Sequence, residues 1–418
     1  MMWRTRSSSM RAMVAVVLAC GTMCGVSIAQ EAPNALPSAP PATAAPTESG
    51  LYKSQPGRWG VKIIDEQWKD EKRNRTVPVR MYLPQDKEEQ GGDEKRAVVI
   101  FSHGLGGSGA NYAYFGKHLA SHGYIVIAPT HPGSDTEQAK EWIKTHGGLF
   151  TNSAEKTKER REGEPAEKGP EPGAGMMPGM TREGGWMMAT VSDPENLRNR
   201  PKDISFVIDQ IATHAIIGSI ADMQRIGVAG HSFGAYTAMA VGGMTVDLPE
   251  EQGGKRQSFR DERVKAVLPM SPEGAGTMGI SSGAWEKFAV PVLFLTGTKD
   301  YGSGARSAAW RREGFVAATG VDHYLVTIEN AGHMTFANPG EKSAQQAAAG
   351  LGMGLLLLGQ NDTKKQKGHI ELVESLSMAF FDAYVRGDAE AMKKLRMFCM
   401  SKRGDCVAEF APGAQKAE

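Results

Sequence analysis

Cysteine is scarce in this 418-residue chain, with four in all, and Cys20 and Cys24 fall inside an apolar stretch near the N-terminus. Only Cys399 and Cys406 stand in the remainder, which excludes a fold held by many bridges and a cysteine-rich metal site. In an oxidising compartment these two can close a small loop; the alternative is a pair of unlinked thiols. No histidine follows or closely precedes them, so neither reads as a nucleophile. An excess of one charge is also missing: 48 Lys and Arg stand against 47 Asp and Glu, a net charge of +1. That balance leaves no basic footprint for nucleic acid and points to a small or lipid-like substrate. Long hydrophobic runs are lacking too. Residues 12–26 and 347–358 both fall short of the roughly 20 apolar residues that a membrane span requires.

The run at 12–26 follows Arg4, Arg6 and Arg11 and precedes Ser27-Ile28-Ala29, with small residues at its first and third positions. This is the pattern of a signal peptide over residues 1–29, cut before Gln30, and it predicts a secreted or periplasmic protein. Lipidation at Cys20 is the alternative. Residues 30–50 are rich in Pro, Ala, Ser and Thr and read as a linker. The folded catalytic domain is expected over 51–410, with 411–418 a tail.

Strand-like runs recur at 61–64, 77–83, 97–101, 124–128, 225–229, 264–270, 291–296 and 323–328. From 97 onward they are nearly continuous apolar segments, as in strands covered on both faces. Helical patterns alternate with them, notably 201–215, with Pro201 in its first turn and Ile204, Val207, Ile208 and Ile211 at helical spacing. The expected fold class is therefore α/β, with a mostly parallel sheet of about eight strands flanked by helices. The alternation stops over 135–199, and 152–185 is loaded with Glu, Lys, Arg, Pro, Gly and Met. This segment reads as a partly disordered surface insertion that can serve as a lid. Residues 370–385 read as an amphipathic helix closed by Gly387, with Asp388 capping a second. The apolar 347–358 run reads as a core helix, or alternatively as lining for an acyl pocket.

Chemistry is concentrated where Ile226-Gly227-Val228-Ala229 runs into Gly230-His231-Ser232-Phe233-Gly234. Gly-x-Ser-x-Gly after a buried strand is a nucleophile elbow: the serine sits at a strained strand-to-helix turn, where small flanking residues let strand and helix approach. A serine needs a base and a group to orient it. Asp300 follows the strand 291–296, and His333 follows the strand 323–328, both at the C-terminal edge where such sheets carry their sites. Glu273 and Asp322 are the other candidates for the acid. The developing oxyanion needs N–H donors. One is Phe233, immediately after the serine; the other lies in Ser102-His103-Gly104-Leu105-Gly106-Gly107, with Leu105 nominated, Gly104 next, and His103 as a support for the loop. His118 and His122 have a zinc-compatible spacing without a companion carboxylate, so no metal is expected.

Phe101-Ser102-His103-Gly104-Leu105-Gly106-Gly107 with Gly230-His231-Ser232-Phe233-Gly234 resembles the α/β-hydrolase superfamily, and within it the platelet-activating-factor acetylhydrolase and dienelactone-hydrolase-like branch, over about residues 59–384. The resemblance implies a serine esterase for carboxylic esters, short-acyl or lipid-like, without metal or organic cofactor. It maps nucleophile, acid and base onto Ser232, Asp300 and His333, and the oxyanion donors onto Leu105 and Phe233. Dienelactone hydrolases use a cysteine nucleophile where this chain has Ser232. Peripheral contact with lipid is compatible with this reading. The rival readings are a serine peptidase or amidase on the same fold, and a binding protein that keeps the fold without catalysis.

Overall fold

Apolar runs that must hide both faces can do so only by pairing side by side beneath helices. In the computed structural model, which describes residues 50–85, 95–146, 185–302, 306–337 and 363–413, they form one nine-stranded sheet. The strands are β1 (Gly60–Asp70), β2 (Arg75–Gln85), β3 (Arg96–Ser102), β4 (Ile125–Pro129), β5 (Ala221–His231), β8 (Val264–Met270), β9 (Val292–Lys299), β10 (His323–Gly332) and β11 (Cys406–Ala411). Two short strands, β6 (Thr245–Val246) and β7 (Gln257–Ser258), pair apart from it. The main sheet runs in the order β1-β2-β4-β3-β5-β8-β9-β10-β11. From β4 to β10 neighbours are parallel; β1, β2 and β11 add antiparallel edges. This is the sheet of an α/β-hydrolase fold.

Alternate residues of one strand feed opposite layers. In β3, Val98 and Ile100 join a core under α4 (Pro194–Thr213) and α5 (Phe233–Gly242), while Ala97, Val99 and Phe101 join a core under α1 (Ala113–Ser121) and α7 (Thr363–Tyr384). The remaining helices are α2 (Thr136–His146), α3 (Trp186–Ser192), α6 (Glu313–Ala317) and α8 (Ala389–Met400).

Three expectations change. The sheet has nine strands because β11, unanticipated, pairs with β10 from Ile328↔Cys406 to His323↔Ala411. The helix expected to start at Pro201 starts at Pro194, where the Asp193 carboxylate accepts from the Glu195 amide. Pro201 sits inside it without breaking it. Proline has no N–H for the carbonyl four residues back, and the Tyr236 hydroxyl donates to that carbonyl, Leu197 O, at 2.9 Å instead. Finally, both ends of the 135–199 insertion are helical, as α2 and α3 with the start of α4; residues 147–184 lie outside the described residues, as do residues 1–49, with the signal and nearly all of the linker, and the 347–358 run. At the C-terminus the Asp388 carboxylate caps α8 through the amides of Glu390 and Ala391, after Gly387 at φ +74. Cys399 and Cys406 are free, their thiols pushed up to about 12 by burial.

Candidate active site at the sheet's C-terminal edge

Ser232 occupies the single residue between β5 and α5, with φ 56 and ψ −119, a left-handed backbone that a non-glycine residue adopts only under constraint. Its amide is held by Met270 O at 2.9 Å. The two flanking glycines are required by space. A Cβ on Gly230 would stand 2.2 Å from Gly234 O, and one on Gly234 would stand 1.9 Å from Ser102 O. Strand β5, helix α5 and the end of β3 thus meet at contact distance, with the serine side chain left partly exposed at the apex.

His333 leaves β10 just after a register shift between Ile328 and Gly332, where Asn330 has φ 61. The irregularity carries the histidine over the sheet edge. Its Nε2 lies 3.0 Å from Ser232 Oγ and its Nδ1 3.0 Å from Asp300 Oδ1. Asp300, directly after β9, is fully buried, and its other oxygen accepts from Thr296 Oγ1 at 3.0 Å. Burial alone would raise its carboxyl, but the Arg311 guanidinium and the hydrogen bond from His333 outweigh it and hold Asp300 below the usual range. A carboxylate only accepts, so the bond to Asp300 puts the proton of neutral His333 on Nδ1, with Arg311 Nη2 a second donor group 3.0 Å from that nitrogen, and leaves Nε2 free to accept from the serine hydroxyl.

Arg311 stands in no motif of the sequence. It is buried at 3% exposure, and its Nε faces Asp300 Oδ1 at 2.7 Å. It donates to the carbonyls of Asp300, Ser271, Pro272 and Tyr301 at 2.9, 2.9, 3.0 and 3.1 Å. It therefore ties the loops after β8 and β9 together around the acid. Glu273, the rival acid, is 3.9 Å from Arg311 and makes no hydrogen bond to His333 among the described contacts. Burial raises its carboxyl. Asp322, the other rival, lies at the opposite end of β10, accepting from Tyr384 Oη and the Gly413 amide.

On the facing side, the loop after β3, which carries Leu105, comes up against the elbow: a Cβ on Gly104 would stand 3.3 Å from His231 O. The neighbours of Leu105 are braced: Gly104 N donates to Tyr112 Oη, Gly106 N to Ser134 O at 2.9 Å, and Gly107 N to Gly104 O at 3.1 Å. Among the described residues, the amides of Leu105 and Phe233 make no hydrogen bond to protein. Tyr112 Oη also lies 2.8 Å from His231 Nδ1, and His231 Nε2 lies 2.9 Å from His333 O. Since Nε2 must donate to that carbonyl, Nδ1 accepts from the tyrosine. A buried relay thus joins the glycine loop to the backbone of His333. Burial, with the charge of His333 adding to it, pushes the His231 imidazole down to about 3, so it serves as a neutral link. His103 acts as the expected support: Nε2 accepts from the His131 amide at 2.9 Å, and Nδ1 meets Gly104 O at 2.6 Å.

Leu105 also packs into a small apolar cluster with Ala139, Trp142 and Ile143 of α2 and Trp186 and Met187 of α3. His118 and His122 are engaged elsewhere, each donating through Nε2 to a carbonyl, Lys53 O and Gln55 O, at 2.9 Å.

A family model described as platelet-activating factor acetylhydrolase, isoform II, matches residues 76–141. That stretch contains the loop with Leu105 and the start of α2, and stops short of Ser232, Asp300 and His333. A platelet-activating factor acetylhydrolase of Cavia porcellus is 28% identical over 160 residues, covering 35% of this chain. The matched part spans 31% of that relative's length. Sheet order, elbow and these two matches join in one conclusion: the chain has the α/β-hydrolase fold, and its similarity within that fold lies with the platelet-activating factor acetylhydrolase branch.

Proposed function

We propose that the chain is a serine hydrolase of carboxylic esters that works through an acyl-enzyme. The observation that carries the reading is the continuous path Ser232 Oγ, His333 Nε2, His333 Nδ1, Asp300 Oδ1, each hydrogen bond 3.0 Å long, on a strained elbow. Ser232 Oγ attacks the ester carbonyl carbon as its proton passes to His333 Nε2; Nδ1–H stays on Asp300, whose charge stabilises the imidazolium. The carbonyl oxygen becomes an oxyanion, received by the amides of Leu105 and Phe233. Collapse breaks the bond to the alcohol, which leaves with the Nε2 proton. Water, deprotonated by His333, then attacks the acyl carbon, and the acid departs as Ser232 regains its proton.

The cluster of Leu105, Trp142, Ile143 and Met187 supports an apolar acyl or chain next to the reacting carbonyl. The basic and then apolar N-terminal sequence supports export before the enzyme acts. The test is hydrolysis of p-nitrophenyl esters of graded acyl length by the wild type beside Ser232→Ala. Turnover that disappears in the variant is expected; turnover that persists there, or none in a folded wild type, overturns the proposal.

A further inference from the structure

One buried side chain reaches both proposed sources of the oxyanion donors, and it takes no part in the chemistry above. Arg200, on α4, has no exposed surface. On the side of the glycine loop it donates to His103 O, to Ser102 Oγ at 3.3 Å and to Ser134 Oγ at 2.8 Å. Ser134 in turn holds Gly106 N through its carbonyl. Leu105 is thereby anchored on both flanks, through His103 and through Gly106. On the side of the elbow, Arg200 Nε donates to Thr237 Oγ1 at 3.1 Å, and Thr237 bonds Phe233 O at 2.9 Å. The guanidinium also lies over the Phe233 ring, 4.3 Å from its centroid, an attractive cation–π position.

Behind Arg200 stands a second serine–histidine–aspartate line, sealed from solvent. Ser102 Oγ lies 2.9 Å from His131 Nε2, and His131 Nδ1 lies 3.0 Å from Asp203 Oδ2. All three residues have no exposed surface, so this line cannot meet a substrate. What it does is fix Ser102 and the His131 amide that holds His103. Asp203 is neutralised by Arg73 and Arg75 at 2.8 and 2.9 Å.

We propose that Arg200 is the positioning residue of the oxyanion hole: it sets the distance between the Leu105 and Phe233 amides by clamping the loop after β3 to the first turn of α5. A planar fork of donors suits this task because its targets lie in different directions; a lysine presents one point charge. The inference rests on the proposed esterase reading, since it assigns those two amides their role. Misplacing transition-state donors by an ångström lowers turnover while leaving ground-state binding largely intact.

The experiment compares Arg200→Met, Arg200→Lys and Thr237→Val with wild type in the full chain. In Arg200→Met, kcat on p-nitrophenyl acetate is expected to fall roughly tenfold to a hundredfold with KM within about threefold. Affinity for an alkyl boronic acid, which forms a tetrahedral adduct on the serine, should fall in parallel with kcat. Arg200→Lys should recover part of the loss, and Thr237→Val should show a smaller loss of the same kind. Amide exchange in 103–107 and 233–237 should quicken in Arg200→Met, with other segments unchanged. Unchanged kcat and boronate affinity, a rise in KM alone, or unchanged exchange in those segments overturns the proposal. If Arg200→Met is not recovered folded, the same readings on Thr237→Val and Ser134→Ala decide it. The exchange arm needs no substrate, so a wild type without Ser232-dependent hydrolysis refutes the esterase reading while the clamp is still judged.

Discussion

Replacing Asp300 by Asn separates the charge of the acid from its geometry. Oδ1 faces two donors, His333 Nδ1 at 3.0 Å and Arg311 Nε at 2.7 Å, while Oδ2 faces the Thr296 hydroxyl. An asparagine will put its oxygen toward Arg311, because an NH2 there would confront an N–H, and its NH2 will turn to Thr296 Oγ1, which can accept. The Nδ1–H tautomer of His333 therefore survives, and what is lost is the negative charge. Opposite charges about 4 Å apart at an effective dielectric of about 20 attract by about 4 kcal/mol, an attraction realised only when the imidazolium forms. That corresponds to a roughly thousandfold loss of kcat, deepened by Arg311, whose positive charge then faces the imidazolium without its partner. KM on p-nitrophenyl acetate should change little.

The same substitution leaves Arg311 a buried cation, and breaking such a pair costs about 3–5 kcal/mol. Glu273, 3.9 Å from Arg311, offers a partial replacement and favours the low end of that range. Adding Arg311→Met to Asp300→Asn should recover neither stability in urea unfolding nor kcat, because it also strands the carbonyls of Ser271, Pro272, Asp300 and Tyr301. An Asp300→Asn enzyme within tenfold of wild type, or a double variant that regains turnover, would refute the reasoning.

Stability should fall with acid. Burial pushes the His118 and His131 imidazoles down to about 4 and His231 down to about 3. The unfolded chain takes up these protons near pH 6.5, so the stability their neutral forms contribute is full above that pH and is lost as pH falls toward about 4. His131 and Arg75 hold Asp203 down at about 2 against its burial, which adds a loss below about pH 4. Glu374, raised to about 7 by burial, acts in the opposite sense, its share being lost as pH rises from about 4.5. Urea midpoints should therefore drop from about pH 7 to about pH 4.5, and a flat profile contradicts this. Gly234→Ala should yield no native protein by soluble expression and circular dichroism, because a Cβ 1.9 Å from the Ser102 carbonyl meets backbone that cannot yield; a stable, active variant would show the elbow to be looser than its geometry. Tyr236→Phe should cost about 1–3 kcal/mol by stranding Leu197 O. Pro201→Ala should stabilise that variant more than it stabilises wild type, since it restores an N–H for the same carbonyl; an additive cycle would disprove the link.

What could be read from the chain alone follows from how local each signal is. β8 is a continuous apolar run between turn residues, and its sequence limits, 264–270, coincide with Val264–Met270 in the fold. β11 escaped notice because Cys406-Val407-Ala408-Glu409-Phe410-Ala411 is a short edge strand whose order comes from pairing with β10. Pro201 marked a helix start because proline usually belongs there; a hydroxyl from α5 repairs the backbone and lets the helix begin a turn and more earlier. Ser232, Asp300 and His333 were visible because each follows directly on an apolar strand, and the fold brings all three within hydrogen-bond distance. The stretch from Asp135 to Asn199, lacking strands, hid the helices α2 and α3, whose apolar residues pack against Leu105 and, through Val191, against the core under α4.

The two buried arginines had no such signal, and the reason is physical. At the C-terminal ends of parallel strands the chain turns away, and carbonyls there lose their ladder partners. Buried, they need donors. One guanidinium offers five N–H groups in a rigid plane and can satisfy several carbonyls from different loops at once. Arg311 does this for Ser271, Pro272, Asp300 and Tyr301. Arg200 does it for His103 O together with three hydroxyls. Its contacts to Ser102 and His103 span 98 and 97 residues of sequence, and their acceptors include backbone, which carries no residue-type signature. Between them the two side chains join the loops after β3, β8 and β9 and the first turn after β5, which are the segments presenting Leu105, Asp300 and Phe233. Lysine at either place would keep the charge but not the planar fork that reaches acceptors in several directions, so a folded lysine variant whose loops exchange their amides faster than wild type is the expected signature of this kind of support.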